Sequence, residues 1–87
     1  MAGKYQPLTD FLQAQPGEVV TLTFEHLEQV LGESLPASAR QHAAWWANEI
    51  GDTRHVQARA WLAAGWRVEA VAPGAATFRR SYPTTEA

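Results

Sequence analysis

Polar side chains suited to binding an anion gather between two predicted helices. Asn48 ends one helical pattern, and His55 and Gln57 begin the next. Free N–H groups and the positive dipole end of a helix N-terminus attract anions, and Asn, Gln, Arg and His side chains read base edges. This spacing predicts a nucleic-acid or anion contact, with the candidate residues Arg40, Trp45, Asn48, Arg54, His55, Gln57, Arg59, Arg79 and Arg80.

The same residues also have a structural interpretation. Asn48 can close the turn between the helices by bonding backbone groups. His55 and Gln57 can belong to a hydrogen-bond network that holds this turn. The sequence leaves both interpretations open.

Other site chemistries find little support in the sequence. His26, His42 and His55 are widely spaced and the chain has no cysteine, so we expect no metal centre. Ser38 and His42 are four residues apart on a predicted helix, but no orienting acid or nucleophile elbow accompanies them. There is no glycine-rich phosphate loop either. We therefore predict a protein that is not an enzyme and that needs no small-molecule cofactor.

The four tryptophans divide into two pairs. Trp61 and Trp66 flank a short Ala-Ala-Gly turn, which predicts that both pack in the core. Trp45 and Trp46 are adjacent and lie about 100° apart on a helix, so both cannot point into one narrow stripe. Burial of both in the core is the favoured expectation. The alternative places one in the core and leaves the other partly exposed, where an indole can stack on a base.

Charge is distributed unevenly along the 87 residues, whose net charge is −2. Residues 1–36 contain one lysine against five acidic residues, whereas residues 37–80 contain six arginines against three acidic residues. Arginine suits bidentate contacts with phosphate or carboxylate. The asymmetry indicates either an anionic partner on one side or attraction between the two halves within the fold.

The remaining composition predicts a cytoplasmic domain. The absence of cysteine excludes a disulfide framework and fits a reducing compartment. No apolar run approaches the ~20 residues that span a bilayer, and the N-terminus lacks the apolar centre of a signal peptide. We expect no membrane partner.

The order of predicted elements is helix, strand, helix, helix, helix, strand, strand. Thr23 is placed to cap the second helix, and Gly32 to end it in a left-handed conformation. A single helix is expected within 33–52, capped by Ser34 or Ser38, and the two last strands form a hairpin with Pro73-Gly74 in its turn. This order predicts an α+β, winged-helix-like domain over 4–80, with a small antiparallel sheet closed by a C-terminal β-hairpin and a flexible tail over 81–87.

Several segments carry a resemblance to a known family. They are "KYQPLTDFL", "LTFEHLEQVLGESLPASAR", "WWAN", "HVQARAWLAAGW" and "VEAVAPGAATFRR". Together they resemble a small, uncharacterised prokaryotic domain family whose members read TF–IE–ILG–LP–SA, then WW–N, then H–Q–AW–AGW–V, then F–R. The resemblance covers Lys4 to Arg80 and implies one compact α+β domain. It implies no reaction.

Two functions are compatible with these patterns. The first is a nucleic-acid-binding or regulatory module, with DNA as the expected ligand, in which the helix from Arg54 to Arg59 meets the duplex and the hairpin touches phosphate. The second is a protein-interaction module, including one that self-associates as a homodimer, with no nucleic-acid contact.

Overall fold

The computed structural model describes residues 4–48 and 56–81, with Val56 described by its backbone alone. The elements are helix α1 (Gln6–Gln13), strand β1 (Val19–Thr23), helices α2 (Phe24–Leu31) and α3 (Ala37–Gln41), a 3-10 turn (Ala43–Trp46), helix α4 (Val56–Ala63), and strands β2 (Trp66–Ala72) and β3 (Ala75–Arg80). The predicted α+β class is confirmed, and the elements follow the predicted order except that α3 is followed by a separate 3-10 turn. Apart from Ser81, the predicted tail lies outside the described residues.

Local sequence signals define α2 at both ends, as predicted. The Thr23 hydroxyl accepts a hydrogen bond from the His26 N–H at 3.0 Å, which satisfies one free donor of the first turn. Gly32 ends the helix with φ of 80°, a left-handed conformation that a residue without Cβ adopts at little cost. The two caps fix the helix directly after β1.

The single helix expected within 33–52 is wrong, because the helical path breaks at His42, where φ is −130° and ψ is 119°. Pro36, and neither Ser34 nor Ser38, occupies the cap position of α3, and no side chain caps that helix. The break lets Trp46 fold back, so that its indole N–H donates to the Ala39 carbonyl at 2.8 Å. Tertiary packing here overrides the local helical pattern.

The sheet has the strand order β1-β3-β2, so the last strand of the described chain lies in the centre. Val20 pairs with Phe78 on one side, and Val68 pairs with Phe78 on the other. A register shift between Val68 and Ala70 interrupts the alternation of β2. Ala70 is therefore exposed and does not continue the buried face that begins at Trp66.

Aromatic side chains fill the core between the helices and the inner face of the sheet. Trp61 and Trp66 are fully buried, which confirms their predicted place. Trp46 is buried and stacks between Phe24 and Trp61, with centroid distances of 5.5 and 6.0 Å. Trp45 is half-buried, so the adjacent pair divides into one core and one boundary residue. Among residues 4–48 and 56–81, no helix combines the length and apolarity that crossing a bilayer requires.

Candidate functional site

Asn48 binds to two other parts of the fold through its carboxamide. Its Oδ1 accepts hydrogen bonds from the indole N–H of Trp61 at 2.8 Å and from the backbone N–H of Val68 at 2.9 Å. Its Nδ2 donates to the Val68 carbonyl at 2.9 Å. The carboxamide thus imitates a neighbouring strand against β2 and also satisfies a donor of a fully buried ring. This arrangement supports the structural interpretation of Asn48.

Gln57 is also directed inward. It is 4% exposed, and its Nε2 donates to the Trp45 carbonyl at 2.8 Å. The bond holds the start of α4 against the end of the 3-10 turn. Trp45 packs edge-on against Trp46 at 4.7 Å and Tyr5 at 6.1 Å, measured between ring centroids. Gln57 therefore connects α4, and Trp45 connects the N-terminus of α1, to the 3-10 turn that contains the tryptophan pair.

Three of the candidate arginines, Arg40, Arg79 and Arg80, have partners within the fold, and the first two form ion pairs. Arg40 forms an ion pair with Glu28 and lies over the Phe24 ring. Arg79 forms an ion pair with Glu69 on the neighbouring strand.

Arg80 joins the end of β3 to the loop between α1 and β1. Its guanidinium donates to the carbonyls of Gln15 at 2.6 Å and Gly17 at 2.9 Å. It also lies 4.4 Å from the centroid of the Trp66 ring. The side chain is thus directed into the protein and is not presented beside Arg79 to a phosphate backbone.

The other candidates divide between the surface and the part of the chain without a description. Arg54 and His55 lie outside the described residues. Arg59 is exposed on α4 and, within the described residues, forms no ion pair. The candidates in the described part of the chain therefore have different surroundings. Asn48 and Gln57 hold the turn, Arg40 and Arg79 belong to ion pairs, and Arg59 alone projects from α4.

The outer edge of β1 was not anticipated from the sequence. The main-chain carbonyl of Glu18 accepts a hydrogen bond from the main-chain N–H of Arg80, and the main-chain N–H of Phe24 donates to the Gly74 carbonyl. These two bonds fix which residues of β1 direct their main-chain groups toward β3. The main-chain groups of Val19 and Thr21 consequently point away from β3. Both residues are exposed, Val19 at 45%. Within the described residues no other strand pairs with this edge.

A cavity between α1 and α4 was likewise not anticipated. Its volume is about 540 Å³, and it is lined by Lys4, Tyr5, Gln6, Thr9, Arg59, Ala60 and Ala63. The wall is closed at one point by the Thr9 hydroxyl, which donates to the Ala60 carbonyl at 2.8 Å. Burial, and secondarily the charge of Glu33, raise the pKa of Tyr5, so its phenol stays protonated at neutral pH.

Two glutamates have pKa values below their ordinary range. The pKa of Glu28 is lowered first by the hydrogen bond from the Leu35 N–H, at 2.9 Å, and then by Arg40. The pKa of Glu69 is lowered first by the hydrogen bond from Arg79. Glu69 is exposed and Glu28 is partly buried, and both carboxylates are ionised at neutral pH, as expected for members of ion pairs.

Comparison with known proteins identifies the family. The family model "Domain of unknown function (DUF7662)" matches residues 5–83. The chain belongs to this family. No curated protein and no solved structure shows a significant match. The match covers nearly the whole chain, and its bounds are close to the range 4–80 over which the sequence resembles an uncharacterised domain family.

Proposed function

We propose that this member of the DUF7662 family is a protein-interaction module that self-associates through the edge of β1. The observation that carries the proposal is the outward direction of the main-chain groups of Val19 and Thr21. An exposed strand edge is a template for pairing with another strand. The hydrogen bonds of Asn48 and Gln57 within the fold support this choice, because they engage two of the expected base-reading side chains, the exposed Asn48 and the buried Gln57.

A second copy of the chain fits this edge in one symmetric register. In an antiparallel pair centred on Val20, Val19 of each copy lies opposite Thr21 of the other, and the two residues can exchange both main-chain hydrogen bonds. Glu18 then lies opposite Leu22, so the two like-charged carboxylates do not face each other. A two-fold axis through this pair gives a closed dimer, the commonest form of self-association.

Sedimentation velocity from about 10 µM to about 1 mM tests the proposal. We expect the wild-type chain to move from monomer to dimer, since a short edge pairing gives weak association. Thr21→Pro removes the outward N–H and should keep the chain monomeric. Thr21→Val is the matched control, because it keeps both the N–H and the β-branched shape.

Two further measurements make this test decisive. Circular dichroism checks that Thr21→Pro is folded, and Thr21→Lys, which places a charge on the edge, serves as a second disrupting variant. In the wild type, amide exchange at Val19 and Thr21 should slow as concentration rises. A monomer at 1 mM, or a dimer that tolerates both variants, would contradict the proposal.

Binding to duplex DNA is a second candidate function. It is supported by the winged-helix-like element order, in which α4 precedes the β2–β3 hairpin. Arg59 and Arg67 are also exposed, and neither forms an ion pair within the described part of the chain. As part of this candidate function we also propose a prokaryotic source and a cytoplasmic location, both of which rest on the sequence alone.

Fluorescence anisotropy with duplex and single-stranded oligonucleotides over a salt series tests this candidate. Affinity for duplex should fall steeply with salt, because phosphate contacts release counterions. Arg59→Gln together with Arg67→Gln should weaken binding roughly tenfold or more, and the control Gln13→Ala, on an exposed residue of α1, should not. Absent or salt-independent binding at high micromolar protein would contradict it.

A further inference from the structure

We propose that the cavity between α1 and α4 binds a small amphipathic anion, a molecule with one anionic head on a short apolar body. The volume of about 540 Å³ lies within the range of ligand sites in proteins, roughly 300–1,000 Å³. This inference does not depend on the edge of β1, since none of the residues that line the cavity belongs to that strand.

The charge of the lining selects the head group. Lys4 and Arg59 both line the cavity, and no acidic residue does so in the described part of the chain. A local excess of positive charge is notable in a protein with a net charge of −2. Arg59 forms no ion pair among the described residues. Lys4 lies 3.8 Å from Glu33, a pair in which both side chains are exposed and the attraction is weak.

The rest of the lining selects the apolar body. Ala60 and Ala63 both line the cavity, and their spacing of three residues places their methyl groups on one face of α4. The Thr9 hydroxyl is already occupied by the Ala60 carbonyl, which leaves its methyl group as the free part of that side chain. The half-buried Tyr5 adds an aromatic ring and a protonated phenol that can donate to an anion.

A carboxylate and a phosphate share the chemistry that this site recognises. Guanidinium groups bind both anions through paired N–H donors. The experiment therefore uses octanoate and octyl phosphate as separate probes. Octanol, which lacks the charge, and acetate, which lacks the apolar body, are the matched controls.

Titration followed by isothermal calorimetry and by backbone amide shifts in NMR tests the site. We expect saturable binding of octanoate or octyl phosphate with shifts centred on α1 and α4, and at least about tenfold weaker binding of octanol and acetate. Arg59→Gln combined with Lys4→Gln should weaken octanoate binding about tenfold or more. Arg67→Gln, which removes an exposed arginine outside the cavity, should leave it unchanged.

A steric variant keeps the result independent of charge alone. Ala63→Trp places a large ring in the cavity at an exposed helix position, and it should abolish binding while the circular dichroism spectrum is retained. Equal binding of octanoate and octanol, no saturable binding up to about 10 mM, or full affinity in the double variant would overturn the proposal. The monomeric Thr21→Pro variant should still bind octanoate, which separates this result from self-association.

Discussion

The two outer strands of the sheet differ in what covers their free main-chain groups. On β2, the carboxamide of Asn48 bonds both the N–H and the C=O of Val68, and the 3-10 turn packs beside the strand. On β1, the corresponding groups of Val19 and Thr21 have no such cover in the described part of the chain. The comparison shows that Asn48, whose type and position predicted a binding residue, instead satisfies the free main-chain groups at the edge of β2.

Protection of sheet edges is a general requirement, because unpaired edges recruit other chains. The protein meets it on β2 with a side-chain cap, a bulge after Val68 and the ion pair between Glu69 and Arg79. On β1 none of these devices is present among residues 4–48 and 56–81. We interpret this difference as the reason to expect association at one edge and not at the other.

Amide hydrogen exchange in dilute protein should sharpen this comparison most. We expect the Val68 amide to exchange at least about a hundredfold more slowly than the Thr21 amide, since it is bonded to Asn48 and opens only with a structured part of the fold. The measurement is exchange followed by NMR near 10 µM, below the expected association range. Equal rates at the two amides would show that the edges do not differ.

Substitution of Asn48 should remove the cover of β2. Asn48→Ala leaves the indole N–H of the buried Trp61 without its partner, and we expect a loss of about 2–3 kcal/mol in the free energy of unfolding. Urea denaturation measures the change. Thr21→Ala on the open edge is the control and should cost under about 1 kcal/mol, because among the described residues its hydroxyl bonds only the Thr77 hydroxyl, at the surface.

The two fully buried tryptophans should respond unequally to loss of the indole N–H. Trp61→Phe removes the bond to Asn48, whereas Trp66→Phe removes a buried N–H for which the described residues provide no acceptor. Trp61→Phe should therefore be the more destabilising by about 1 kcal/mol. Thermal or urea unfolding of the two variants measures the difference. An equal loss of stability would show that the hydrogen bond from Trp61 to Asn48 contributes little.

The smallest expected effect is the loss of stability in acid as the ion pairs of Glu28 and Glu69 weaken. The pKa values of Glu28 and Glu69 are lowered in the folded state, so their contributions are present above the ordinary value of 4.5 and are lost as pH falls below it. We expect Glu69→Gln and Glu28→Gln each to flatten the pH dependence of stability below pH 4.5. Unfolding followed between about pH 3 and pH 6 checks this, and unchanged curves would contradict it.

Much of the fold could be predicted because its signals are local. The Thr23 cap and the Gly32 C-terminus lie within one helix and act through neighbouring backbone groups. The β-branched run around Val20 and the Pro73-Gly74 turn are equally local. The burial of Trp61 and Trp66 followed from their size and from the short turn between them.

The remaining features depend on residues that are distant in sequence. Asn48 reaches Val68 twenty residues further along the chain, and no spacing rule distinguishes this contact from a ligand contact. The break at His42 accompanies the packing of Trp46 on Phe24, a contact between residues far apart in the sequence. The open edge of β1 follows from the strand order, which a list of elements does not contain.

The central position of β3 also affects the order of events during synthesis. Neither β1 nor β2 has a neighbour in the sheet until residues 75–80 have been made, because both strands bond only to β3. The sequences of α1 and α2 leave the ribosome early, whereas the sheet can assemble only in a late step that brings Val19 to Arg79. A chain truncated before Ala75 keeps its helical sequences but exposes two unpaired strands, and we expect it to aggregate.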